Sequence, residues 1–250
     1  MIKINKQLKI LNFYGIKFYD WEFSQILKKI NLGGYLVAPA ASALAEIKND
    51  KIYYNSILKS DCAIFDSGFF CILLRIFQIY KPSKFSGYLF LKKFLNCKSI
   101  KKKKILLINA SNYQAKLNKQ LMYMNKFKKI LSYNALIYKT NKIKDPKLIN
   151  IINKYKPFYV LINIGGGKQE PLAFYVKKKI KFRLTILCLG GAIDFITRFQ
   201  APINEFIDKI YLGWLLRIIY NPKIFFMRVF KSLNLIFFFI KHKKLFNETS

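Results

Sequence analysis

Apolar runs alternate along this chain with segments whose apolar positions recur at helical spacing. The apolar runs predict strands at 10–18, 35–40, 63–66, 103–110, 157–164 and 182–189. The segments between them predict helices at 21–30, 41–49, 68–80, 112–127, 145–156 and 170–178. Asp20 is a possible N-cap of the first helix, and Asp145 with Pro146 is a favourable start for the fifth.

This alternation predicts an α/β fold with a Rossmann-like, mostly parallel sheet and helices on both of its faces. The strands are apolar throughout, as strands of a parallel sheet buried on both faces are. We expect the sheet domain to occupy residues 1–200. With 250 residues, the chain can bury a full core in such a domain and still carry an appendage.

The pattern changes after about residue 200. Residues 201–250 predict helices rich in large apolar side chains and cations, with a break at Asn221-Pro222. A basic, aromatic-rich helical segment suits an anionic membrane surface. It equally suits a helical cap packed on the sheet, and the two interpretations are compatible.

Polar residues and glycines follow three of the predicted strands. They are Asp66 to Gly68, Gly165 to Glu170, and Gly190 to Asp194. Ligands of parallel sheets bind beyond the carboxyl ends of the strands. We therefore expect these three loops to build one binding site.

Asp66 is the candidate catalytic residue of the first loop. It is one of 12 acidic residues and ends a predicted buried strand. A carboxylate held there can take a proton from an attacking hydroxyl group. The alternative is that Asp66 caps the helix that begins at Gly68, and the residues alone favour this alternative.

The other two loops are candidate ligand-binding turns. Gly165, Gly166 and Gly167 precede Lys168, Gln169 and Glu170 at a predicted helix N-terminus, where backbone N–H groups and the helix dipole favour phosphate. The spacing matches neither the P-loop nor the dinucleotide fingerprint, and the alternative is an ordinary turn with three surface side chains. Gly190 and Gly191 form a second turn, in which Asp194 either contacts ligand or caps a helix.

Composition adds a strongly basic balance, with a formal net charge of +33 and 53% hydrophobic residues. Lysine is abundant together with Ile, Asn, Phe and Tyr, as an AT-rich coding sequence would produce, so much of the lysine excess is expected on solvated faces. Arginine is the better probe for phosphate binding, and three of the five arginines lie in the last 53 residues. The charge alone also fits a non-catalytic basic protein that binds anionic lipid or nucleic acid.

Several kinds of site are disfavoured. The one histidine, His242, argues against a histidine zinc site or a Ser-His-Asp triad. The four cysteines have no metal-ligand spacing and are interpreted as reduced core residues of a cytosolic protein. No G-x-G-x-x-G follows the first strand, which argues against a Rossmann dehydrogenase. Without a signal-peptide core or an apolar run of ~20 residues, we expect the protein on the cytoplasmic side.

Motifs in a consistent order support a more specific hypothesis. They are IFDSGFF, KFSGYLF, NIGGGKQE, LGGAIDF, QAP and GWLLRIIYNP. These resemble, respectively, the P-D-G, R-V-x-G-x-D-L, G-x-G-x-P-K-Q-E, V-G-G-x-x-D-F, R-A-P and E-W-x-x-R…P elements of the WecG/TagA/CpsF family of glycosyltransferases (glycosyltransferase family 26). The resemblance runs over nearly the whole chain.

The resemblance implies an inverting transferase without metal or other cofactor. The family moves an N-acetylated amino sugar, or its uronic acid relative, from UDP to a polyprenyl-diphosphate-linked sugar at the inner face of the cytoplasmic membrane. The implied partners are a UDP-sugar donor, that lipid-linked acceptor and the membrane surface, with no nucleic acid.

The resemblance also assigns roles to residues. Asp66 is the expected general base for the acceptor hydroxyl, and Arg217 and Arg228 are expected to face the UDP diphosphate. The appendage at 201–250 is expected to close the active site over UDP and to touch the membrane. Trp214 shares a helical face with Arg217, and the alternative for this pair is a core tryptophan with a snorkelling arginine. The remaining substrate-binding candidates are Gly68, Ser86, Gly87, Gly165, Gly166, Lys168, Gln169, Glu170, Gly190, Gly191 and Asp194. The chain departs from the family pattern at Ala38, Ala40, Ser67, Leu89, Gly167, Gln200 and Gly213.

Overall fold

The computed structural model describes residues 2–138, 143–165, 167–199, 208, 211 and 213–242. Its strands are β1 (Ile2–Asn5), β2 (Ile10–Phe13), β3 (Ile16–Tyr19), β4 (Gly34–Val37), β5 (Cys62–Ala63), β6 (Ile105–Asn109), β7 (Ile130–Asn134), β8 (Tyr159–Asn163) and β9 (Thr185–Cys188). In this part of the chain the strands form one sheet in the order β1-β2-β3-β5-β4-β9-β8-β6-β7. From β3 to β7 neighbouring strands run parallel, whereas β1, β2 and β3 are antiparallel.

Helices cover both faces of the sheet. They are α1 (Phe23–Ile30), α2 (Ala41–Ala45), α3 (Lys51–Leu58), α4 (Gly68–Ile76), α5 (Gly87–Asn96), α6 (Asn112–Met124), α7 (Pro146–Tyr155), α8 (Gln169–Lys179), α9 (Ala192–Ile196), α10 (Gly213–Tyr220), α11 (Pro222–Ser232) and α12 (Asn234–His242), with a 3₁₀ turn at Lys98–Ile100. The α/β fold class with a mostly parallel sheet is confirmed.

The core consists of two apolar layers separated by the sheet. One layer contains side chains of α2, α3, α4, α7, α8 and α12, and the other contains side chains of α1, α5, α6 and α9. Successive residues of β6 alternate between the layers: Leu106 and Ile108 enter the first, and Ile105 and Leu107 the second. Because a strand with helices on both sides has no solvent face, every residue of β6 is buried.

The sequence prediction at the N-terminal edge is wrong in two respects. The run at 10–18 is a hairpin rather than one strand, with Tyr14 and Gly15 at φ of +51° and +83° between β2 and β3. Positive φ at both central residues is typical of a type I′ turn. Asp20 does not cap α1, whose N-cap is Glu22; instead the Asp20 carboxylate accepts hydrogen bonds from the Tyr80 hydroxyl and the Ser83 N–H.

Most other predicted elements are present with shorter bounds. Asp145 caps α7, and its carboxylate accepts a hydrogen bond from Leu148 N at 2.9 Å. Two strands, β1 and β7, and three helices, α3, α5 and α9, were not predicted. Cys62, Cys71 and Cys188 are buried and Cys97 is half-buried, and all four are free thiols.

The C-terminal helices follow the predicted break, since α10 ends at Tyr220 and α11 begins at Pro222. Leu235 and Phe239 of α12 enter the first core layer, where the Phe239 ring lies 5.4 Å from that of Phe77. Within the described ranges, no helix is both long enough and apolar enough to cross a membrane. The division of the chain into units at residue 200 stays a prediction.

Candidate active site

The loop after β5, which carries Asp66, and the loop after β9 flank β4 at one edge of the sheet. In the sheet order, β5 and β9 lie on either side of β4, and β8 is the next strand. These strands are parallel, so their carboxyl ends point the same way. With strands ~4.8 Å apart, the strand ends of β5 and β8 lie roughly 14 Å from each other. A ligand that contacts both loops must therefore be extended.

Asp66 does not cap α4. Ser67 is the N-cap, and its hydroxyl oxygen accepts a hydrogen bond from Phe70 N at 3.3 Å. The Asp66 carboxylate instead accepts a hydrogen bond from Gly87 N at 2.7 Å. Gly87 is the first residue of α5, where backbone N–H groups lack helical partners. The N-terminus of α5 thus orients the Asp66 carboxylate.

The start of α5 holds a second carboxylate. Ser86 caps α5 and donates its hydroxyl hydrogen to Oδ2 of Asp208 at 2.6 Å. Lys84 Nζ lies 2.6 Å from Oδ1 of the same carboxylate, and both side chains are buried. Adjacent residues of one turn therefore bind Asp66 and Asp208.

Two glycines allow close packing around this turn. A Cβ atom at Gly87 would lie 2.6 Å from the carbonyl oxygen of Leu189, and one at Gly68 would lie 2.5 Å from the carbonyl oxygen of Tyr211. Both contacts are to backbone, which cannot rotate away. The requirement for glycine at 68 and 87 is thus explained by packing of the loops around Asp66.

Asp66 faces a cavity of about 110 Å³ between the strand-end loops and α11. Its charged lining residues are Asp66, Lys84, Asp208 and Arg228, and the loop before α2 and the loop after β9 complete the floor. Its volume is below that of an engineered cavity of about 150 Å³ that binds benzene. The cavity beside Asp66 is therefore about the size of a single ring.

The C-terminal helices supply the opposite wall. Arg228 of α11 lines the cavity, and its guanidinium lies 5.3 Å from the Phe225 ring. Trp214 and Arg217 belong to α10, but their side chains lie outside the described part of the chain. Arg228 and Asp66 thus line one cavity although 162 positions separate them in the sequence.

The glycine turn before α8 is more buried than an ordinary surface turn. Lys168 holds the N-cap position and is partly exposed, whereas Gln169 and Glu170 are each 1% exposed. Glu170 Oε2 accepts a hydrogen bond from Gly167 N, and Oε1 accepts one from Gln169 Nε2. The alternative of a turn with three surface side chains is therefore wrong for Gln169 and Glu170.

Burial perturbs the proton affinity of Glu170. Loss of solvation raises the pKa of this carboxyl group from 4.5 to about 7, and its hydrogen bonds oppose that rise. Gln169 Oε1 is buried without a hydrogen-bond partner among the described residues, which is unusual for a buried acceptor. Cβ atoms at Gly165 and Gly167 would meet open space, so this side of the turn is accessible.

Asp194, which follows the turn after β9, contacts α6 and does not cap α9. Gly191 occupies the N-cap position of α9, so the alternative of capping by Asp194 is wrong. The Asp194 carboxylate accepts a hydrogen bond from Gln114 Nε2 at 3.1 Å. Gly190 has a φ of +65° and faces open space.

The structure brings together part of the predicted site. Asp66, Gly68 and Arg228 line the cavity, and Ser86 and Gly87 lie directly behind it. The described residues of the 165–170 turn do not line this cavity, nor do Gly190, Gly191 and Asp194, although Leu189 and Ala192 of the same loop do. Gly166 lies outside the described residues. In the described ranges, no group of three or more His, Cys, Asp or Glu side chains is arranged to hold a metal ion.

Comparison with known proteins decides the family. The model of the glycosyl transferase WecG/TagA/CpsF family matches residues 11–249. The chain belongs to this family. A search among curated proteins finds no match. As a WecG/TagA/CpsF family member, the protein is a glycosyltransferase of cell-surface polysaccharide synthesis, with a sugar donor and an acceptor as substrates.

Family membership removes two of the earlier alternatives. A non-catalytic basic protein and a dehydrogenase both conflict with a match that covers nearly the whole chain. It also makes the cavity beside Asp66 the candidate active site.

Two charged residues of this cavity were missed by sequence analysis. Lys84 begins the KFSGYLF stretch, whose family counterpart begins with arginine, and that correspondence was a usable signal. Asp208 lies outside the quoted motifs, and nothing in its surroundings in the sequence indicates a partner 124 positions away. The contact between them is visible in the tertiary structure alone.

Proposed function

We propose that the protein transfers an N-acetylated amino sugar, or a related sugar, from a UDP-sugar to a polyprenyl-diphosphate-linked acceptor. Asp66 is the general base, and the anomeric configuration inverts. The observation that carries this proposal is the Asp66 carboxylate, held by Gly87 N in a cavity that Lys84 and Arg228 also line. A base, cations for a leaving group and a confined space are the groups that glycosyl transfer requires.

The reaction follows from these roles. The acceptor hydroxyl oxygen attacks the anomeric carbon from the face opposite UDP, and Asp66 takes the hydroxyl proton. The new C–O bond forms as the bond between the anomeric carbon and the phosphate oxygen breaks, and UDP leaves with the electron pair. One displacement inverts the anomeric centre.

Charge on the departing diphosphate is offset by groups of the chain, so we propose that no metal or other cofactor takes part. Lys84 and Arg228 line the cavity, and Arg217 lies on the neighbouring helix α10. Preorganised cations stabilise developing negative charge most effectively where water is excluded. EDTA is expected to leave the rate unchanged.

We assign the turns after β8 and β9 to the donor. Gly165, Gly167 and Gly190 face open space, and the unpartnered Oε1 of Gln169 suits an N–H or O–H group of the donor. The roughly 14 Å between the ends of β5 and β8 suits an extended nucleotide sugar with its anomeric carbon near Asp66.

The C-terminal helices are proposed to lie on the inner face of the cytoplasmic membrane, where a polyprenyl-linked acceptor is held. On α11 and α12, large apolar side chains are more than half exposed: Phe226, Met227, Phe230, Phe237 and Ile240. Exposed Lys223, Lys231 and Lys241 lie on the same helices. Apolar side chains interleaved with cations suit an anionic membrane surface. Nucleic acid is not an expected partner.

The test of the assigned base is Asp66→Asn. Transfer from a panel of UDP-sugars to a polyprenyl-diphosphate-linked sugar is measured by mass spectrometry, and kcat is expected to fall about 10²- to 10⁴-fold. Asp50→Asn is the matched control, because it also removes one negative charge and asparagine still caps α3. Equal turnover by Asp66→Asn and the wild-type protein would reject Asp66 as the base.

A further inference from the structure

A buried ion pair occupies the candidate active site. Lys84 Nζ lies 2.6 Å from Asp208 Oδ1, and the two side chains are 5% and 7% exposed. Ser86 donates its hydroxyl hydrogen to the other carboxylate oxygen at 2.6 Å, and Lys84 also donates to the backbone carbonyl of Asp208. Groups of the site therefore engage both carboxylate oxygens of Asp208.

Among the described residues that line the cavity, positive and negative charges are equal in number. Lys84 and Arg228 carry the positive charges, and Asp66 and Asp208 carry the negative charges. A diphosphate brings further negative charge into this cavity, and charge that is buried without a partner is costly. Departure of Asp208 from the cavity would leave one net positive charge on the other three described residues and free Lys84 for a phosphate group.

The donor groups that hold Asp208 are those that bind phosphate oxygens. An ammonium group and a hydroxyl group make charge-assisted hydrogen bonds to a carboxylate and to a phosphate in the same way. Asp208 also lies in the cavity itself, beside Asp66. Its position is therefore one that an oxygen of the donor's diphosphate can take.

The contact also fastens the start of the C-terminal helices to the site. Tyr211, three residues after Asp208, has its ring 4.8 Å from the Arg75 guanidinium and 5.6 Å from Lys84 Nζ. Its carbonyl oxygen packs against Gly68. With the chain fastened here, the cavity beside Asp66 has a volume of about 110 Å³, which is less than a whole nucleotide sugar occupies.

We propose that Asp208 is a displaceable internal anion. It binds Lys84 and Ser86 while the donor is absent, and the donor's diphosphate takes its place. Displacement releases the chain at Asp208 from the site, so donor binding and enlargement of the cavity are one event. This inference rests on the proposed function, because it requires a nucleoside diphosphate as the ligand.

The first experiment compares UDP binding to the wild-type protein and Asp208→Asn by calorimetry. Asparagine fills the same space but competes for Lys84 without charge, so UDP is expected to bind on the order of tenfold more tightly. The donor KM is expected to fall while kcat does not rise. Asp50→Asn, with the same change in net charge, is expected to bind UDP as the wild-type protein does.

A double-mutant cycle identifies Lys84 as the group for which UDP and Asp208 compete. Lys84→Gln is expected to weaken UDP binding, and adding Asp208→Asn to it is expected to give no further gain. If Asp208→Asn tightens UDP binding equally in both backgrounds, the effect is general electrostatics and the displacement is wrong.

Hydrogen exchange on the wild-type protein tests the inference without any substitution. UDP is expected to increase exchange in a peptide spanning 206–213 and to decrease it in peptides containing Asp66 and Gly87. Protection of all three regions by UDP would mean that Asp208 stays in place, and would overturn the inference.

The outcomes separate this inference from the proposed function. If UDP binds the wild-type protein and Asp208→Asn with equal affinity, the displacement is wrong and the proposed function stands. If UDP binds neither protein, the proposed nucleotide donor is wrong, and the displacement fails with it.

Discussion

The two walls of the cavity are held in place by different kinds of contact. The strand-end wall is tied by directional contacts: Asp66 to Gly87 N, Ser86 to Asp208, and Gly68 and Gly87 packed against backbone. The other wall belongs to α11, which packs on α2 and lines the cavity with Phe225, Arg228, Val229 and Ser232. One wall is part of a completed core, and the other belongs to helices that leave much apolar surface uncovered.

The difference is clearest in where the large side chains lie. Every residue of β6, β4 and β9 is buried. On the described parts of α11 and α12, Leu235 and Phe239 are buried, whereas several large apolar side chains are more than half exposed. A contiguous exposed apolar face on a soluble surface indicates an interaction site. The sheet side thus gives the site its geometry, and the helical side is suited to a further apolar partner.

Phe239 anchors α12 in the first core layer. We therefore expect Phe239→Ala to have the largest effect on the free energy of unfolding. Its ring is fully buried beside Phe13, Phe70 and Phe77. Removing it is expected to cost about 4 kcal/mol in the free energy of unfolding, measured with urea. Phe237→Ala, on the same helix but 71% exposed, is the control and is expected to cost less than about 0.5 kcal/mol. Equal costs would mean that α12 is not anchored through Phe239.

Glu170→Gln tests the sheet side of the molecule through the pH dependence of stability. Its pKa is raised from 4.5 to about 7, so the folded state favours the protonated carboxyl group. The stability that this group contributes is complete below about pH 4.5 and is lost as pH rises through about 7, by at most about 3 kcal/mol. In Glu170→Gln this loss is expected to disappear.

Urea unfolding at intervals from pH 4.5 to 8 measures this difference. Glu22→Gln, which changes an exposed carboxylate, is the control and should keep the wild-type pH dependence. If Glu170→Gln also loses stability over the same range, the group responsible is another one.

Phe230→Ser tests whether the exposed apolar side chains of α11 bind a membrane, and its expected effect is the smallest of the three. Its side chain is 61% exposed on α11. If it enters a lipid surface, Phe230→Ser is expected to weaken binding to phosphatidylglycerol vesicles by about 2 kcal/mol, or roughly thirtyfold, with the unfolding midpoint unchanged. Tyr123→Ser on α6, which removes another exposed ring, is the control and should bind vesicles as the wild-type protein does. Equal binding by Phe230→Ser and Tyr123→Ser would argue against a membrane role for α11.

The parallel part of the fold was predictable because its signal is local. Strands such as 105–109 and 159–163 are apolar at every position, and buried parallel strands have this composition. The N-terminal hairpin was not predictable in the same way. Gly15 is a turn signal, but Tyr14 takes a positive φ that a tyrosine rarely adopts, so the pair did not indicate a two-residue turn within an apolar run.

The candidate site was predictable to the extent that it depends on strand ends. Asp66 and the two glycine turns do follow strands at one edge of the sheet. Their relative distance was not predictable, because strand order puts β4 and β9 between β5 and β8. Nor was the role of Gly87, whose N–H orients Asp66 from 21 positions away.

The sequence by itself determined the α/β class, the loops that carry chemistry and the family to which the chain belongs. These three properties depend on composition, on the periodicity of apolar positions and on the order of the motifs, all of which can be read from short stretches of the chain. Only the tertiary structure decided that Lys84 meets Asp208, that Asp66 is held by the start of α5, and that α11 closes the cavity. Such contacts join residues far apart in the chain, and their geometry is set by how strands order and helices pack, which no local pattern encodes.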